Sequence, residues 1–98
     1  MNYADYKKSD EEIIEQNFDE TTGVYTCIKP IEGNGQTITE VSVKGFSVKD
    51  LKELGKITDK LEQSIFMLQK STGMAPSDID CMDAKDGRIL QSIIENFI

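Results

Sequence analysis

The sequence predicts an α+β fold, with an N-terminal two-stranded antiparallel hairpin packed on a small bundle of three to four helices. Three observations carry that prediction. Two β-rich runs, residues 24–31 and 37–43, flank Asn34-Gly35, the dipeptide most typical of a tight hairpin turn. Beyond residue 47 the apolar residues switch from strand-like alternation to helical spacing. Between Thr72 and Asp86 a helix stop is followed by two helix starts, so three helical pieces meet there at fixed angles. Ninety-eight residues make one small domain, expected over 21–98 with its hairpin at 24–44 and helices near 48–55, 59–72, 77–82 and 84–97.

Residues 1–20 carry seven carboxylates against Lys7 and Lys8, which places five of the chain's seven net negative charges in one fifth of its length. A stretch this acidic predicts a solvated, disordered arm. The competing expectation is an arm that folds on a partner or a neighbouring subunit. Ser9 with Glu12 can cap a short helix, and Ile13, Ile14 and Phe18 would supply its apolar strip. The hairpin follows. Pro30 has no N–H for a ladder, so its nitrogen is expected to face away from the partner strand.

Ser47 and Asp50 form a capping box that opens the 48–55 helix, with Val48, Leu51 and Leu54 inward and Gly55 at its end. On the 59–72 helix, Leu61, Ile65, Leu68 and Thr72 stack as one inward stripe. Phe66 and Met67 fall off that stripe on either side, which leaves two readings open: a widened core or a docking surface. Gly73 can take the left-handed conformation that ends this helix, and Pro76 forbids its continuation. Ser77 with Asp80, then Asp83 with Asp86, read as successive capping boxes. On the last helix, Ile89, Ile93 and Phe97 form one ridge and Leu90, Ile94 and Ile98 a second. Together they cover about half the circumference, more than the ~100° a surface helix needs. That helix is either the most buried element or meets another chain along its outer edge.

Composition excludes several functions. A formal charge of −7 without a basic cluster makes a poor binder of nucleic acid or anionic membrane. No apolar run approaches the ~20 residues of a membrane span, and the N-terminus has no apolar signal core, so the chain is expected in the cytoplasm. With no histidine, nucleophile systems built on histidine are absent and a zinc site is not expected. Cys27 and Cys81 read as small buried hydrophobes, with a disulfide as the alternative in an oxidising compartment. Asp78, Asp80 and Asp83 superficially resemble a calcium loop but lack its central glycine and closing glutamate, so they read as helix caps. The chain is therefore expected to be no enzyme and to need no cofactor or metal.

The ordered set Lys29-Pro30-Ile31, a glycine-bearing turn, Ile38-Thr39-Glu40-Val41-Ser42-Val43 and Val48-Lys49-Asp50-Leu51 has a familiar continuation. It runs on through Leu68, Thr72-Gly73-Met74-Ala75-Pro76, Ile79-Asp80, Met82-Asp83-Ala84-Lys85-Asp86 and Ile93-Ile94-Glu95-Asn96-Phe97. Over residues 26–98 this resembles the small tail assembly chaperones of contractile-tailed phages, the Mu-like and P2-like "E, 41 or 14" group. Two places depart from the pattern. Gly45-Phe46-Ser47 stands where the family commonly has proline-threonine, and Met82 where it has leucine. The acidic first twenty residues lie outside the resemblance.

The resemblance implies a factor in the host cytoplasm that coats the long tape measure protein, keeps it soluble while the tail tube polymerises, and leaves before the virion is complete. It also implies a longer frameshifted product, of which these residues would be the short form. The tape measure protein is the expected partner, with the tail-tube protein and further copies of the chain as other candidates. Phe66, Met67, Ile94 and Ile98, at or off the core edge, are the residues expected to face a partner. The competing functions are a structural tail component retained in the particle, such as a tube-associated or completion protein, and a small regulatory adaptor.

Overall fold

The computed structural model describes residues 7–33 and 35–96. Its elements run α1 (Asp10–Asn17), β1 (Phe18–Asp19), β2 (Val24–Gly33), β3 (Gln36–Ser42), α2 (Val48–Leu54), α3 (Lys60–Thr72), α4 (Pro76–Asp80) and α5 (Ala84–Glu95). The expected α+β class holds, but the sheet has three antiparallel strands in the order β1-β2-β3 and not the expected two. The extra strand is only two residues long, with Phe18 opposite Tyr25 and Asp19 opposite Val24. A two-residue strand is too short to leave a period-2 signature. What makes it is the turn behind it. Gly23 N–H donates to the Asp19 carbonyl at 2.7 Å, and Thr21 N–H to the Asp19 carboxylate at 2.9 Å. Gly23 sits at φ 74°, and a Cβ there would stand 3.0 Å from the Val43 carbonyl oxygen, so the turn requires glycine twice over.

The acidic segment expected as a disordered or partner-folding arm is, over residues 10–19, part of the folded body. Ser9 accepts from Glu12 N–H and caps α1, and the Ile13 side chain is fully buried. The reason is local: one large apolar residue on the inner face of an otherwise charged helix finds the edge of the core. Arg88 on α5 then grips Asp10 through two hydrogen bonds of 2.8 and 2.9 Å.

The core is built from Tyr25, Ile31 and Val41 of the sheet, Met67 and Leu68 of α3, Ile79 of α4, Ile13 of α1 and four residues of α5. On α5, Ile89, Leu90, Ile93 and Ile94 are all at most 2 % exposed, which makes it the most buried helix described and explains its wide apolar face. Gly73 ends α3 at φ 69° in the left-handed region. The next start lies two residues earlier than the Ser77 box implies. Pro76 occupies the first helical position after Ala75, where a missing N–H costs nothing, and Ala75 makes no side-chain cap bond.

The second expected box dissolves in a more consequential way. Asp83 does cap α5, accepting from Lys85 N–H at 3.1 Å. Asp86 does not answer it; the side chain turns inward and is fully buried. Between the pairs Thr26–Glu40 and Ile31–Ile38, β2 has four residues where β3 has one, a large bulge that contains Pro30. The bulge lifts the Ile28 and Lys29 amides off the ladder, and the Asp86 carboxylate accepts both, at 2.9 and 3.1 Å. The same carboxylate accepts the Tyr25 hydroxyl at 2.6 Å. Three donors thus compensate one buried charge. Burial, followed by the Asp86 hydrogen bond and charge, drives the Tyr25 pKa well above its ordinary value of 10.0 and keeps the hydroxyl a donor.

Asp86→Ala strands two backbone amides and a phenol in the interior, and is expected to cost about 3 kcal/mol or more in urea unfolding. Tyr25→Phe removes one donor and is expected to cost about 1–2 kcal/mol in the same measurement.

Candidate partner-binding surface

Surface function on this chain starts from where the core ends. The buried residues of α3 are Met67, Leu68 and Ser71, all in its C-terminal half, so its first turns project past the core. Leu61, read from the spacing as the start of the inward stripe, is consequently 70 % exposed. On α2 no residue is fully buried; Leu54 packs against the core while Val48 is 70 % and Leu51 40 % exposed. These three are the large apolar residues the domain leaves uncovered among those described. Their helical spacing had marked them as inward. The spacing fixes which residues share a face, but carries no information on how far along the helix the core reaches.

The four residues expected to face a partner separate. Phe66 is half-buried on the side of α3 that turns away from Met67, Leu68 and Ser71. The Lys70 ammonium lies 5.6 Å from its ring centroid and 3.9 Å from the Glu53 carboxylate, so a cation covers the ring without removing it from solvent. Met67 is 7 % exposed and belongs to the core, where its sulfur receives the Gln91 side-chain amide at 3.1 Å. Ile94 is 1 % exposed and equally a core residue, held between α5 and its neighbours. Placing those two at the surface was an error of the wheel. The core wraps α3 and α5 more widely than a single stripe. Ile98 lies outside the described residues.

Elsewhere the chemistry is quiet. Among the described residues no group of three or more His, Cys, Asp or Glu is placed to hold a metal ion, and no helix is long and apolar enough to cross a membrane. Cys27 and Cys81 are free thiols. Cys27 is buried as read, and burial, reinforced by the nearby Asp86 charge, pushes its pKa up to about 12, so the thiol stays protonated. Cys81 is exposed, against the expectation of a buried hydrophobe, because it caps the C-terminal end of the short α4 outside the core.

A second apolar feature lies on α1. Ile14 and Phe18 line a shallow groove with Ile93 and Asn96, and Glu11, Glu15 and Glu20 stand around it.

The geometry is that of a small α+β domain with one buried, hydrogen-bonded carboxylate and three uncovered apolar side chains on α2 and α3. Comparison with known families specifies the class. The family model described as phage tail assembly chaperone proteins, E, or 41 or 14, matches residues 25–98, and the chain belongs to that family. No curated protein and no solved structure matches it. The match begins within β2, so α1 and β1 lie outside it although Ile13 completes the core.

Met67→Ala is expected to lower stability by about 2–4 kcal/mol, as for a buried large-to-small change, while Leu61→Ala stays within about 0.5 kcal/mol; parallel urea melts check both. Acid is expected to loosen α1. The Arg88 hydrogen bonds hold the Asp10 carboxyl below its ordinary value of 3.8. A carboxyl depressed by folding contributes stability that is present above that value and is lost as pH falls through the depressed one. The melting-temperature gap between wild type and Asp10→Asn should therefore be full at neutral pH and close as pH drops below 3.8.

Proposed function

We propose that the chain is a non-catalytic assembly chaperone that binds the tape measure protein of a phage tail in the host cytoplasm and holds it soluble and extended while the tube assembles around it. The observation that carries this reading is on α3, where Leu61 is 70 % exposed and Phe66 stands half-buried on another side of the helix, in a chain of the tail assembly chaperone family. A long apolar helical client needs apolar contacts that are available before assembly and can be withdrawn afterwards. One exposed and one half-buried apolar side chain on a short stretch of helix supply contact of modest strength per copy. The absence of histidine and the protonated Cys27 give no support to bond-making chemistry. On this reading the protein leaves before the particle is finished.

Co-expression of the chain with the long helical tail protein is expected to move that protein into the soluble fraction and to co-purify with it. Unchanged solubility sinks the proposal, as do abundant copies of the chain in purified virions. Phe66→Asp is expected to weaken capture about tenfold or more while the melting temperature stays near wild type. A large drop in melting temperature would instead place the Phe66 ring in the core.

A further inference from the structure

We infer that the outer face of α2 is a docking site for an acidic amphipathic helix of another protein, which lays apolar residues on Val48 and Leu51 and carboxylates against the lysines beside them. Val48 is 70 % and Leu51 40 % exposed, one turn apart on a helix of seven residues. On a helical wheel Leu54, which packs against the core, marks the inward direction. Leu51, Val48, Lys52 and Lys49 then follow in that order round the helix and away from the core. The uncovered apolar pair is thus bordered on its outer side by two ammonium groups.

Charge decides what fits there. Residues 44–60 hold five lysines and three carboxylates, a local charge of +2 in a chain of −7. The three carboxylates are engaged within the chain. Asp50 accepts from Ser47 N–H at 3.1 Å, Asp59 from Glu62 N–H at 3.0 Å, and Glu53 faces Lys70 of α3 at 3.9 Å. Lys49, Lys52, Lys56 and Lys60 are exposed and make no ion pair among the described residues. A basic helix is repelled by this face, and an uncharged apolar one leaves its lysines without partners. A helix with apolar residues at i and i+3 or i+4 and with glutamates or aspartates on the flank answers both features. Nucleic acid and anionic membrane fit less well, because each spreads its charge over more than one helical face and meets the −7 of the whole chain. Exposed ion pairs add little strength and are screened by salt, so their part is to select the partner while the apolar pair anchors it. The face lies on a different helix from Phe66 and Leu61, and the inference does not depend on what α3 binds.

Two synthetic helical peptides of about four turns test it, with identical leucine stripes flanked by glutamates in one and by lysines in the other. Each is titrated into a dilute, isotopically labelled full chain and followed by its backbone amide chemical shifts. The glutamate peptide is expected to move the amides of α2, to bind about tenfold tighter than the lysine peptide, and to lose that advantage at high salt. Lys49→Glu combined with Lys52→Glu reverses the preference, and Leu51→Ser weakens the glutamate peptide about tenfold. All three positions are exposed, so the melting temperature stays near wild type. Equal binding of the two peptides overturns the inference, as does a glutamate peptide that leaves the α2 amides unmoved. So does a doubly charge-reversed variant that still prefers the glutamate peptide. A last arm adds vesicles of phosphatidylglycerol and phosphatidylcholine. If the vesicles perturb α2 and the glutamate peptide does not, the face is a membrane site and the inference is rejected.

Discussion

The fold turns on one buried carboxylate. Asp86 sits on the first turn of α5, and what it accepts, the Ile28 and Lys29 amides and the Tyr25 hydroxyl, all comes from β2. A strand that carries four residues against one would otherwise bury amides with no acceptor, at a cost of about 1–3 kcal/mol each. The acid therefore does more than stabilise. It makes the bulge possible, and Tyr25 and Ile31, on either side of that bulge, are both fully buried. Helix and strand are specified against each other at this point, and the remaining apolar residues pack around a geometry already set.

How much of this could be read from residues depends on how local the cause was. Turn glycines, the Ser47–Asp50 box, the hairpin around Gly35 and the wide apolar face of α5 are dictated within a few positions, and spacing exposes them. Asp86 shows the opposite case. Three residues after Asp83 it has the position of a capping partner, and nothing nearby says that its acceptors are wanted by a strand some sixty residues earlier. β1 was invisible for want of length, and the burial of Ile13 for want of any sign that a charged segment had a core edge waiting for it.

The surface was less legible than the fold for a related reason. A helical wheel ranks residues by direction, while exposure also depends on where along the axis the core stops. Leu61 and Leu68 point the same way from α3, yet one is 70 % and the other 7 % exposed. Met67 and Ile94 were misplaced because neighbouring elements wrap more than one stripe. Phe66, also off the stripe, is half-buried. The family assignment adds what physics does not supply, a biological setting, and its match begins after α1 and β1.

The span between Tyr25 and Asp86, 61 positions of an 98-residue chain, also bears on the order of events during synthesis. β2 and β3 leave the ribosome long before α5, and until α5 arrives their bulge has no acceptor and Tyr25 no partner. Contacts of such separation are formed late and make closure of the domain slow relative to its local helices. Cooperative folding is thus deferred until α5 has been made, so a nascent chain cut short before α5 holds a strand pair whose most demanding backbone groups remain in water.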